Sequence, residues 1–215
     1  VMRAPEMLAK KNITLRTTAS VAGINRAAQT VRLATGEVLP YTGLVLATGS
    51  TPRSLPLPGM DAANVLPLRS RDDASRIAAG LVQCAEHSLP VVVIGGGFIG
   101  LEVAATARKK GLAVTVLEAA PRLLGRVLPP VLSDWYATLH RSHGVNVVLD
   151  ARIAAVETNV GQATAIQMAD GTRVPCGLVV LGVGVSANDA LAREAGLATD
   201  RGIVVDACGR TADPL

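Results

Sequence analysis

Residues 91–100 read Val91-Val92-Val93-Ile94-Gly95-Gly96-Gly97-Phe98-Ile99-Gly100, a strand-type apolar run that passes straight into glycines. The spacing Gly95, Gly97, Gly100 gives each glycine a task. Gly95 allows a tight turn out of the strand, Gly97 lets backbone approach a pyrophosphate, and Gly100 lets the next helix sit close on the sheet. That helix is expected over Leu101 to Lys110, LEVAATARKK, with Arg108, Lys109 and Lys110 in a last turn that favours cations and Gly111 as its stop. A second apolar run, Ala113 to Leu117, ends on Glu118, 18 residues past Gly100. Strand, glycine turn, helix, strand and terminal carboxylate make the βαβ unit that binds a dinucleotide.

Glu118 also selects the dinucleotide. A carboxylate accepts both hydroxyls of an adenosine ribose, but at about 4 Å from a 2′-phosphate it meets repulsion of up to about 4 kcal/mol per charge pair at an effective dielectric near 20. NADH rather than NADPH is therefore the expected ligand. Arg122 and Arg126 follow closely and read as adenosine-side or pyrophosphate contacts, with solvent-exposed charge as the competing reading.

An internal repeat extends outward from this unit. Ile13-Thr14-Leu15, Val21, Ile24, Thr35-Gly36, Pro40 and Leu44-Val45-Leu46-Ala47-Thr48-Gly49 return as Val145-Asn146-Val147, Ile153, Val156, Asp170-Gly171, Pro175 and Val179-Val180-Leu181-Gly182-Val183-Gly184. The offset is 132 at the start and 135 at the end. Each copy reads as a strand, an antiparallel meander with a glycine turn, and a buried final strand. The second copy is preceded by the fingerprint, 54 residues ahead of Val145, whereas the first has no such unit before it, so the chain is expected to start inside its first dinucleotide-binding domain.

The stretches YTGLVLATGSTPR, VVVIGGGFIGLEVAATARKKG, VTVLEAAPRLLGRVLPP, LGVGVSAN and GIVVDACGRTADP occur in the order found in FAD-dependent pyridine nucleotide-disulfide oxidoreductases. The chain resembles that family over essentially its whole length, and most closely the NADH-dependent ferredoxin reductases of oxygenase systems. The resemblance implies that Gly95, Gly97, Phe98, Ile99, Gly100, Glu102, Glu118, Arg126, Val183 and Gly184 serve NAD, with Glu102 near the nicotinamide and Val183-Gly184 lining its pocket. It implies that Val21, Ala47, Thr48, Gly49 and Arg53 serve FAD, with Ala47-Thr48-Gly49 as the turn passing near the flavin. Val21 can equally be core, and Glu102 can simply favour its helix N-terminus. The family's N-terminal FAD fingerprint and a later Gly-Asp segment find no counterpart, which implies a central fragment.

The implied activity of the intact enzyme is hydride transfer from NADH to FAD, then electron delivery to a ferredoxin-type iron–sulfur protein. Sister activities remain open: NADH oxidase, rubredoxin, nitrite or disulfide reductase, or an NADH-binding module without catalysis. No side chain stands out as catalytic acid, base or nucleophile, because the cofactors carry this chemistry.

The fold class expected is α/β, a doubly wound Rossmann-like parallel sheet with an antiparallel meander. Residues 1–68 are assigned to a partial FAD-binding domain, 69–191 to a complete NAD(H)-binding domain, and 192–215 to a return segment. At 215 residues and 49% hydrophobic, the chain can bury a sizeable core. A formal charge of +4 comes from scattered basic residues with only four aromatic side chains, which argues against nucleic acid and suits an acidic protein partner. No apolar run is long enough for a membrane helix and no signal peptide is visible. Cys84, Cys176 and Cys208 form no CxxC or CxxxxC pair, and their odd number suits a reducing, cytoplasmic setting. His140 and His143 share a probable helix from Pro130 to Ser142 but have no companion ligands, so no metal site is expected. Exposed sheet edge in a broken first domain points to self-association as a homodimer or larger.

Overall fold

The computed structural model describes residues 5–214, and the side chains of 6–214. In chain order the elements are α1 (Pro5–Ala9), β1 (Val21–Asn25), β2 (Thr30–Leu33), β3 (Val38–Pro40), β4 (Ser50–Pro52), β5 (Val65–Pro67), α2 (Arg71–Glu86), β6 (Val91–Ile94), α3 (Phe98–Lys109) and β7 (Val114–Leu117). There follow α4 (Pro130–Ser142), β8 (Val145–Val148), β9 (Ile153–Asn159), β10 (Gln162–Met168), β11 (Arg173–Pro175), β12 (Leu178–Leu181), β13 (Val185–Ala187) and α5 (Ala190–Glu194). They form two compact units, residues 51–185 and residues 1–50 with 186–215.

The unit of residues 51–185 is built on a parallel sheet of order β5-β12-β6-β7-β8. Strands β6 and β12 are apolar at every position because both faces are covered. Val91, Val92, Val93, Val179 and Val180 are wholly buried. Alternation of side chains along each strand sorts them between two layers. Val91, Val93, Val114, Val116, Val145 and Val180 meet Ile77, Leu81 and Cys84 of α2, Leu101, Ala104 and Ala107 of α3, and Ala137 of α4. Val92, Ile94, Leu117, Val179 and Leu181 meet Val156, Ala163, Ile166 and Met168 of the antiparallel β9-β10-β11 meander. The architecture is thus Rossmann-like α/β with helices on one face and a meander on the other.

The first helix of this unit starts where local chemistry demands. Ser70 caps α2, its Oγ accepting from the Asp73 N–H at 3.1 Å while the Asp73 carboxylate accepts from the Ser70 N–H at 2.8 Å. The Ser70 backbone bond, followed by its side chain, holds the Asp73 carboxyl below its usual range. That contribution to stability is complete above the unfolded-state value and is lost as pH falls through the lower folded value. Ser70→Ala is expected to cost about 1 kcal/mol, lowering the melting temperature by about 2–4 °C in a differential scan near neutral pH. An unchanged melting temperature would show that the cap contributes nothing.

The other unit contains the matching meander β1-β2-β3, with Gly36 at φ +90° in its turn as Gly171 stands at φ +85° in the β10-β11 turn. The repeat stops there. Residues 13–15, expected as the counterpart of β8, are not a strand, and Ile13 and Leu15 are exposed. Residues 44–48, expected as the counterpart of β12, are not a strand either, and Val45 is 89% exposed. A buried strand exists only where neighbours complete its hydrogen bonds. β12 has β5 and β6, whereas no named strand of the described residues pairs with 13–15 or 44–48.

The division between units also falls elsewhere than at Leu68 and Leu191. β5 pairs in parallel with β12, Val65 opposite Val179, which ties the segment before Leu68 to the parallel sheet. Residues 186–191 group instead with residues 1–50, where the Asn188 N–H donates to the Gly49 carbonyl at 3.0 Å.

Candidate functional site

In an open parallel sheet, ligands bind beyond the carboxyl ends of the strands where the winding direction reverses. Here the helical crossovers lead from β6 through β7 to β8 on one side, while β12 and β5 lie on the other, so the reversal falls between β6 and β12. A cleft of about 750 Å³ opens there. Gly95, Gly96 and Gly97 follow β6 on its wall, Glu118 follows β7, and Gly182, Val183 and Gly184 follow β12.

The glycine turn is held by backbone contact. Gly95 lies at φ +110°, and a Cβ there would come 2.4 Å from the Gly182 carbonyl oxygen. A Cβ on Gly100 would come 2.1 Å from the Gly95 carbonyl oxygen. At Gly97 a Cβ would meet no protein atom within 4 Å. That open position caps α3 without any side-chain bond, so the first-turn N–H groups of α3 face a space that an anion can enter. The cradle fits the pyrophosphate of a dinucleotide.

Glu118 is fixed at both carboxylate oxygens. Oε2 accepts from the Gly96 N–H at 2.5 Å and Oε1 from the Ala120 N–H at 2.8 Å. Each oxygen of a carboxylate has capacity for a second donor, so ribose hydroxyls can still be received. Arg122 lines the cleft while its guanidinium donates to two carbonyls of its own loop, those of Leu128 and Gly125, both at 3.0 Å. Arg126 is exposed on the cleft wall.

The other expected nicotinamide-side residues divide. Phe98, Val183 and Gly184 line the cleft, while Ile99 and Glu102 do not, and Gly100 acts from beneath by close contact. Glu102 is exposed and lies beyond the first turn of α3, which removes the helix-terminus explanation offered for it. In the unit of residues 1–50 and 186–215, Ala47, Thr48 and Gly49 form an exposed turn bound to Asn188. The Thr48 hydroxyl donates to the Asn188 carbonyl at 2.6 Å, and the Asn188 Nδ2 donates to the Thr48 carbonyl at 3.0 Å. Val21 opens β1 opposite Leu33 at a bulge and is 39% exposed, which is poor support for a core role. In residues 51–185, the Arg53 N–H donates to the Gly184 carbonyl at 3.0 Å.

Sequence reasoning missed Gly96, Leu123, Leu124 and Asn188. Leu123 is fully buried, and the Leu124 N–H donates to the Gly96 carbonyl at 3.0 Å. Cys84 and Cys176 are buried free thiols, and burial pushes Cys176 up to about 11 and Cys84 upward as well. Burial thus disfavours the reactive thiolate form of both. His140 is lowered by burial, then by the charge of His143, and no group of three metal-ligating side chains occurs among the described residues. Among those residues no helix is long and apolar enough to cross a membrane.

Strand order, glycine turn and cleft define a Rossmann-type dinucleotide-binding unit. The family model for pyridine nucleotide-disulphide oxidoreductases matches residues 3–215. The chain belongs to that family. Putidaredoxin reductase CamA of Pseudomonas putida is 43% identical, over 100% of this chain and 51% of its own length. The ferredoxin–NAD(+) reductase component of the anthranilate 1,2-dioxygenase system of Burkholderia cepacia is 44% identical, over 94% of this chain and 49% of its own. Among solved structures, the reductase of the covalent putidaredoxin reductase–putidaredoxin complex superposes with a TM-score of 0.92 at 42% identity, covering 100% of this chain and 52% of that one. The ferredoxin reductase for the CYP199A2 system of Rhodopseudomonas palustris gives 0.91 at 38%, with the same coverage. The chain spans about half the length of the curated relatives it matches.

Proposed function

We propose that this chain binds NADH in the cleft between β6 and β12 and serves an FAD-dependent reductase that hands electrons to a ferredoxin-type iron–sulfur protein. The observation that carries the reading is the Glu118 carboxylate, held by the Gly96 and Ala120 N–H groups at the end of β7 beside an open glycine cradle. The reductases named above act on ferredoxins by name, which supports the acceptor class.

Bound nicotinamide supplies a hydride and bound flavin receives it. The chain's own residues bind and orient. Gly97 and the first turn of α3 receive the pyrophosphate, Glu118 the adenosine ribose, and Arg126 the adenosine side. Phe98, Val183 and Gly184, which line the cleft, would face the nicotinamide. Arg53 and the Asn188-bound turn Ala47-Thr48-Gly49 are assigned to FAD. Val21 is assigned to FAD, while Ile99 and Glu102, which do not line the cleft, are assigned to NAD and its nicotinamide only through the family resemblance.

The test is to incubate the chain with excess FAD, desalt it, and titrate it anaerobically with NADH while recording the visible spectrum. NADH binding is the expected result, and flavin that is retained and bleached by NADH would mean that the residues assigned to FAD suffice to hold it. NADH binding without flavin would support an NADH-binding module without redox activity of its own. Absence of NADH binding would sink the reading altogether.

A further inference from the structure

Gly96 is the variable position of the fingerprint, the residue between the two glycines that the pattern demands. Its surroundings are nonetheless crowded. A Cβ there would come 2.4 Å from Leu123 Cδ2, 3.1 Å from Glu118 Oε2 and 3.2 Å from Glu118 Cβ. Both polar groups of Gly96 are engaged by the segment after β7: its N–H donates to Glu118 Oε2, and its carbonyl accepts from the Leu124 N–H. Leu124 itself stands at φ +53°, a conformation that a leucine keeps only when its surroundings require it. The turn that cradles phosphate and the carboxylate that meets ribose are therefore joined through one residue without a side chain.

We infer that Gly96 is a specificity-determining positioning residue, setting where the Glu118 carboxylate stands and hence how strongly the site prefers NADH to NADPH. Charge repulsion against a 2′-phosphate falls with separation, and hydrogen bonds to ribose hydroxyls require a fixed carboxylate. A methyl group at Gly96 displaces that carboxylate and so weakens both sources of preference. A methyl group at Gly97 projects into open space and obstructs the phosphates that NADH and NADPH share, leaving the preference intact.

This inference rests on the dinucleotide reading above, and the experiment separates the two. The parent chain, Gly96→Ala and Gly97→Ala are titrated with NADH and with NADPH by nicotinamide fluorescence, and folding is checked by thermal melting. Gly96→Ala is expected to lower the NADH-over-NADPH affinity ratio about tenfold or more, while Gly97→Ala weakens both ligands and leaves the ratio within about threefold of the parent. A folded Gly96→Ala with the parent's ratio overturns the inference alone. Equal loss of ratio in Gly97→Ala overturns it too. A parent that binds neither dinucleotide overturns the reading of the site. Should Gly96→Ala not fold, Gly96→Ala/Leu123→Ala is compared with Leu123→Ala, because the 2.4 Å obstacle is then gone while the contacts with Glu118 remain. The ratio is expected to fall about threefold or more between those two, and an unchanged ratio overturns the inference.

Discussion

Gly95→Ala is expected to destabilise the unit of residues 51–185 by about 2–5 kcal/mol, a positive-φ penalty of about 1–2 kcal/mol added to overpacking of about 1–3 kcal/mol. The melting temperature should fall by about 10 °C, and NADH binding should be lost at temperatures where the variant is still folded. The size of the effect follows from what the methyl group meets. Gly95 lies at φ +110°, and its neighbour at 2.4 Å is the Gly182 carbonyl, main chain at the end of β12. The Gly182 N–H is bound to the Ile94 carbonyl at 2.7 Å, so the obstacle cannot swing aside without parting β6 from β12. Those two strand ends frame the cleft. A melting temperature and NADH affinity equal to the parent's would mean that the close approach is not needed for either.

Gly95 and Gly100 were legible from the amino-acid sequence because each meets main chain, and backbone geometry repeats wherever a strand turns into a helix over a phosphate. α4 was equally legible, its predicted limits of Pro130 and Ser142 agreeing with the structure. Gly96 was not, since its constraint comes from a leucine 27 positions away and a glutamate 22 away, contacts that no local pattern encodes. The bonding of Arg122, a residue on the cleft wall, was not legible for a related reason. A basic residue after a strand reads as a ligand contact, but here the loop from Pro121 to Leu128 folds back and its own carbonyls take the guanidinium. Residues 13–15 and 44–48 show the converse case. Their apolar pattern is that of buried strands, and pattern alone does not supply the neighbouring strands that hydrogen bonding requires. Asn188 escaped notice because its partners, Thr48 and Gly49, lie about 140 positions earlier in the chain.

Glu118→Arg should produce the largest change in ligand preference, and it should not produce a good NADPH site. Loss of two charge-assisted bonds to ribose hydroxyls, at about 1.5–3 kcal/mol each, predicts that NADH affinity falls about 100-fold or more. Exchange of sign removes up to about 4 kcal/mol of repulsion at the 2′-phosphate, and an arginine can hold that phosphate directly. The same substitution, however, strips the Gly96 and Ala120 N–H groups of the acceptor they share, at 2.5 and 2.8 Å, and an arginine has no acceptor to offer in return. Part of the electrostatic gain is then lost in the glycine turn. NADPH affinity should rise by no more than about tenfold and remain weaker than NADH affinity in the parent, although the preference between the two swings by about 1000-fold. Parallel titrations of parent and variant with both dinucleotides measure each quantity. An NADH affinity unmoved by Glu118→Arg would remove the carboxylate from the site, while an NADPH affinity matching the parent's for NADH would show that the carboxylate recognises ribose without bracing the turn.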